Sequence, residues 1–119
     1  MSTPSNEELR LKQRSNVNLK AVVTLAGKKP QEHQCRITNL SATGGRLRFE
    51  TPQAFKVGMT IAIQIFIPAT IMHIPNSGEI IWIEQQLNAF TVGVKFAEFL
   101  SETMMQQLTK HSSPSPNTQ

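Results

Sequence analysis

The chain holds one cysteine, one tryptophan, no tyrosine and no long apolar run. Each shortage excludes something. A lone Cys35 cannot close an internal disulfide, which rules out a disulfide scaffold and fits a reducing cytoplasm. The longest apolar stretch, residues 60–72, is interrupted by Gln64, Pro68 and Thr70 and is too short to span a bilayer. The first eight residues offer neither a basic n-region nor an apolar h-region, so no secretory signal is read there. Aromatics make up only 6%, and most phenylalanines fall on inward-looking positions. A barrel that stacks single-stranded nucleic acid on aromatic platforms is therefore disfavoured, and no DNA or RNA partner is expected. His33, His73 and His111 stand apart, without metal-ligand spacing. No glycine-rich phosphate loop opens a helix, and no His-Glu-x-x-His occurs. The carboxylates are scattered. Nothing assembles an acid, base and nucleophile, so no catalytic residue and no metal site is assigned, and the chain is read as a non-enzyme.

What is present is a modest, ordinary domain. Its 119 residues suffice for one core, and 39% hydrophobic content is a globular value. The expected state is a monomer. The net charge of +4 is carried entirely by the first thirty residues, where Arg10, Lys12, Arg14, Lys20, Lys28 and Lys29 face only Glu7 and Glu8. A basic arm on a neutral body suits an anionic partner or a solubilising terminus equally well.

Period-two alternation dominates the middle of the chain. Leu19, Ala21, Val23 and Leu25 share one face of a first strand, and Gly27–Pro30 reads as a turn. Strands are expected over 32–38 and 45–51, the latter with Leu47 and Phe49 inward and Arg46, Arg48 and Glu50 outward. A connection covers 52–58. Ile61, Ile63, Ile65 and Ile67 mark a fourth strand that Pro68 ends. A fifth covers 79–85, and Phe90, Val92, Val94 and Phe96 define a sixth. Ile71–Ile74 is either the start of the fifth strand or a loop packed on the barrel, and could be a partner-binding patch. Ser101 is a helix N-cap preceded by Leu100, with Met104, Met105 and Leu108 as the apolar side. The pattern predicts a mainly β fold: a six-stranded antiparallel barrel with a C-terminal α-helix covering an open end or seam. Residues 1–9 are expected to be a flexible arm, 10–111 the domain and 112–119 a disordered tail.

Two constellations carry chemistry. Arg10 and Arg14, four apart, offer two planar forks that grip phosphate oxygens or the O6 and N7 of guanine. The segment Asn39-Leu40-Ser41-Ala42-Thr43-Gly44-Gly45 joins the second and third strands. Asn39 and Ser41 can each donate and accept. Gly44 and Gly45 permit positive φ and close approach of backbone to a ligand. Alone, this segment also reads as a tight turn closing a hairpin.

Together, in this order, the two resemble the signature of the PilZ domain family, Arg-x-x-x-Arg followed by Asp/Asn-x-Ser-x-x-Gly. Ile80-Ile81-Trp82 and Val92-Gly93-Val94-Lys95-Phe96 resemble the family's late strands, and the similarity covers about residues 9–111. The resemblance implies a cytoplasmic receptor that binds cyclic di-GMP on the outside of the barrel. Arg10 and Arg14 would hold phosphates and guanine edges, Asn39 and Ser41 would hydrogen-bond a guanine, and Gly44, with Gly45 beside it, would admit the backbone. Asn39 stands where aspartate is commoner, and Thr43 where a glycine often occurs. Leu9 occupies a place where an additional arginine tends to accompany an intercalated ligand dimer, so one ligand per chain is expected. Binding would fix the arm and signal to a downstream protein partner in motility, exopolysaccharide or biofilm control. The alternative is an adaptor of the same fold that binds a protein partner independently of the nucleotide.

Overall fold

The computed structural model describes residues 14–25 and 31–110. Six strands and one helix follow in order: β1 Ser15–Leu25, β2 Gln31–Ser41, β3 Gly44–Phe49, β4 Thr60–Phe66, β5 His73–Gln86, β6 Ala89–Phe96 and α1 Glu102–Lys110. All pairings are antiparallel, and the sheet closes in the order β1-β2-β3-β6-β5-β4 back to β1. The predicted class and strand number are those observed. The expected arm, the 27–30 turn, Arg10, His111 and the C-terminal tail lie outside the described residues.

The alternation decides which face is inside. Leu19, Ile37, Leu47, Ile63, Ile80 and Val92, one from each strand, are fully buried in a common core. Burying such a side chain contributes about 1.5–3 kcal/mol against exposure, so the barrel interior is the main source of stability. One end is plugged by aromatic rings. Phe55, from the connection after β3, meets Phe49 and His33 edge-on at centroid distances of 5.2 and 5.6 Å, and Phe90 at 6.0 Å.

Three boundaries differ from the sequence reading. β1 begins at Ser15, well before Leu19. β5 begins at His73 and runs fourteen residues, so Ile74 is a core position while Ile71 and Met72 stay exposed on the loop before it. Asn39, Leu40 and Ser41 belong to β2, and only Ala42 and Thr43 form the turn.

Helix α1 is capped as expected: the Met104 amide donates to Ser101 Oγ at 3.1 Å. Glu102 in the first turn and Lys110 in the last complement the helix dipole. Leu108 is fully buried in the barrel's core cluster, with Met105 packed beside it, and α1 rests against β1. The segment leading into the helix is tied to the β2–β3 turn. Phe96 and Leu100 amides donate to the Thr43 and Ala42 carbonyls, each at 2.8 Å.

Candidate functional site

The β2–β3 turn is held in shape by its own side-chain hydrogen bonds. Ser41 Oγ lies 3.1 Å from Thr43 Oγ1, donates to the Gly44 carbonyl at 3.3 Å and accepts from the Thr43 amide at 3.3 Å. Ser41 is buried, a polar side chain taken out of water. Its hydroxyl therefore shapes the turn, in the manner of serine side chains that mimic backbone turns. Gly44 is required by packing. A Cβ there would run into the Val94 carbonyl of β6, with which Gly44's neighbour Gly45 is paired. Neither Gly44 nor Gly45 adopts positive φ. The absence of side chains here lets the strands close up behind the turn.

Asn39 is aimed outward by a break in register. Cys35 and Ile37 point inward, but the next buried residue is Leu40, three positions on. The ladders on both sides of β2 shift between Ile37 and Asn39. A bulge of this kind re-aims a side chain, and here it turns Asn39 to the outer wall. Asn39 Nδ2 donates to Asn16 Oδ1 at 3.2 Å, and Arg14 Nη1 donates to Asn39 Oδ1 at 3.4 Å. The second motif arginine thus sits on the motif asparagine from a residue 25 positions away.

The wall continues beyond the motif. Asn16 is opposite Asn39, Asn39 opposite Arg46, Arg46 opposite Gly93, and Gly93 opposite Trp82. One row crosses five strands, roughly 19 Å of curved surface at about 4.8 Å per strand. The Trp82 indole lies over Gly93, where any Cβ would overlap its ring nitrogen. Arg46 Cζ stands 5.8 Å from the centre of that indole, a cation–π arrangement. A second register shift, between Ile80 and Trp82, lets the indole occupy this place. Asn16, Arg46 and Trp82 were not among the site residues read from the sequence. The available signal was the apolar spacing: Ile37 to Leu40 and Ile80 to Ile83 are separated by three, where a regular strand separates by two.

Chemically, the row offers cationic forks at Arg14 and Arg46, an amide that donates and accepts at Asn39, and a flat indole. None of the described carboxylates is ion-paired with either arginine. Such a surface suits a ligand carrying both phosphate and aromatic base. By contrast, burial pushes the Cys35 thiol up from 9.0 to about 12, which makes it unreactive. Among the described residues no group of three His, Cys or Glu side chains could hold a metal ion. No helix among them is long and apolar enough to cross a membrane.

Solved structures share this architecture. The Bacillus subtilis inhibitor of motility, MotI/DgrA, is similar over 91% of this chain and 54% of its own, with 14% identity and a TM-score of 0.62. The PilZ domain of Escherichia coli YcgR, solved with c-di-GMP, is similar over 82% of this chain and 85% of its own, with 16% identity and a TM-score of 0.59. YcgR in complex with c-di-GMP is matched over 42% of its length, so the chain spans about half of these larger relatives. No curated protein sequence matches. The PilZ domain matches residues 8–112, the whole barrel and helix with the double-arginine segment before them, and the chain belongs to the PilZ domain family.

Proposed function

We propose that this protein is a receptor for cyclic di-GMP, which it holds on the outer wall along the row from Asn16 to Trp82. The observation that carries the reading is the hydrogen bond from Arg14 to Asn39, which joins the two signature motifs at one place on the barrel. Support also comes from family membership and from the c-di-GMP found with the PilZ domain of YcgR. The ligand has two phosphates and two guanines. Arg14, together with Arg10, grips phosphate oxygens and guanine Hoogsteen edges; Asn39 hydrogen-bonds a base; Trp82 and Arg46 offer a face to the other. Ser41, Gly44 and Gly45 act by holding the turn in shape. The reading is one of binding without chemistry. Ligand ordering the N-terminal segment changes the surface, at an entropic cost, and a downstream protein partner reads the change. Control of motility, exopolysaccharide or biofilm formation is the output this implies.

Trp82 is the chain's only tryptophan and stands at the end of the row. Its emission is therefore a direct readout. Titration with c-di-GMP should change that emission saturably, and GMP at equal concentration should not. No change with c-di-GMP, paired with no heat in calorimetry, would leave the nucleotide-independent adaptor as the function.

A further inference from the structure

A second charged feature lies on the same wall, on a different row. Lys20 of β1 is opposite Arg36 of β2, and Arg36 is opposite Arg48 of β3. All three are exposed and line a groove of about 560 Å³, with Gln34 and Phe66. Like charges directly opposed across strands oppose pairing, and a solvated wall gains nothing from three in succession. None of the described carboxylates is ion-paired with Lys20, Arg36 or Arg48, although Glu50 also lines the groove. Arg36 is steadied only by donating to Asn18 Oδ1 at 3.3 Å.

We propose that this groove binds an acidic, extended segment of a partner protein. Lys20 and Arg48 are two strand spacings apart, about 10 Å, which two carboxylates at alternate positions of an extended peptide, about 7 Å apart, can bridge through flexible side chains. Arg36 and Arg48 supply forks for carboxylates. Half-buried Phe66 and Val22 at the β4 side supply an apolar seat for a neighbouring residue of the segment. Lys20, Arg36 and Arg48 stand side by side in paired strands, so what the groove offers is a row of cationic side chains rather than the curled N–H nest that favours a bare phosphate. One aromatic ring is too few for a stacked nucleic-acid strand. The groove is independent of the nucleotide reading, since it uses none of Arg14, Asn39, Arg46 or Trp82.

The test uses the full chain and a fluorescein-labelled peptide of alternating glutamate and phenylalanine, with oligothymidylate of equal charge as comparator. Peptide binding should weaken about tenfold or more in Arg36→Glu and in Arg48→Glu, and should weaken as salt is raised. Lys110→Glu, on the exposed end of α1, and Arg14→Ala should change it little. Thermal melts check that the variants fold, and Arg36→Gln serves where the reversal does not. The c-di-GMP affinity of Arg36→Glu and Arg48→Glu should stay within a few-fold of wild type, which separates this proposal from the nucleotide site. Equal loss with Lys110→Glu would reduce the effect to net charge. Loss confined to Arg14→Ala, no peptide binding, or tighter binding of oligothymidylate would each overturn it.

Discussion

Arg14 owes its position to Asn39, and Asn39 owes its direction to a bulge. Arg14→Ala should therefore weaken c-di-GMP binding by the worth of a charge-assisted, forked contact, roughly 1.5–3 kcal/mol, or about 10- to 150-fold. Arg14→Lys should recover little, because a point charge cannot reproduce the fork. Lys12→Ala should cost only a few-fold, through attraction that salt screens. Calorimetry on the three variants decides between a shaped site and a merely basic arm: equal losses would point to the latter. Gly93 makes a different residue-scale prediction. Gly93→Ala places a methyl where the indole lies, so Trp82 must move. Overpacking of this kind costs about 1–3 kcal/mol, read as a lower melting temperature with altered tryptophan emission. Cys35 adds a pH effect. Its thiol ionises near 9.0 when exposed but only at about 12 in the fold, so the folded state retains a proton that the unfolded chain loses. Stability is unaffected below pH 9 and falls as pH climbs above it. Cys35→Ala should flatten that decline between pH 9 and 10 in denaturant titrations.

At the scale of elements, strands were readable wherever apolar residues alternated without interruption, as along Ile61–Ile67 and Phe90–Phe96. In those places one face must be buried, and a slip of one residue would expose it all. Reading failed where alternation broke. Ile37 followed by Leu40 looks like the end of a strand, yet β2 continues through a bulge to Ser41. Asn16 and Asn18 precede the alternation read from Leu19 onward, but they lie on the outer face of β1 while Val17 faces in. The motif residues Asn39, Ser41 and Gly44 were legible by resemblance, but Ser41's burial and Gly44's contact with β6 depend on partners distant in sequence. Arg46 and Trp82 are brought together only by the β3-β6-β5 order, which no local pattern encodes. The helix was the most local element and the most legible. Ser101→Ala, which removes the cap on the Met104 amide, should lower stability by about 1 kcal/mol without altering nucleotide affinity.

For the molecule as a whole, every buried apolar side chain of the core among the described residues lies at or after Val17, and these close the barrel interior between them. A chain beginning at Arg14 should melt cooperatively near the parent temperature while losing most of its c-di-GMP affinity. A non-cooperative melt would show that the missing segment is structural. In the intact protein, c-di-GMP should raise the melting temperature with concentration, and GMP should do so far less, as expected for a ligand of the folded state. Saturation is expected at one ligand per chain, given Leu9 before Arg10, and calorimetric stoichiometry of two would refute it. The closed ring has a further consequence. An open sheet has two outermost strands whose amides exchange with solvent first and can recruit strands from other chains. Here each of the six strands is flanked on both sides, so exchange in deuterated water should lack a fast outer pair. Protection should instead fade along the strand axis toward the strand ends, where the ladders stop, and any protein that associates with the paired part of this wall must do so through side chains.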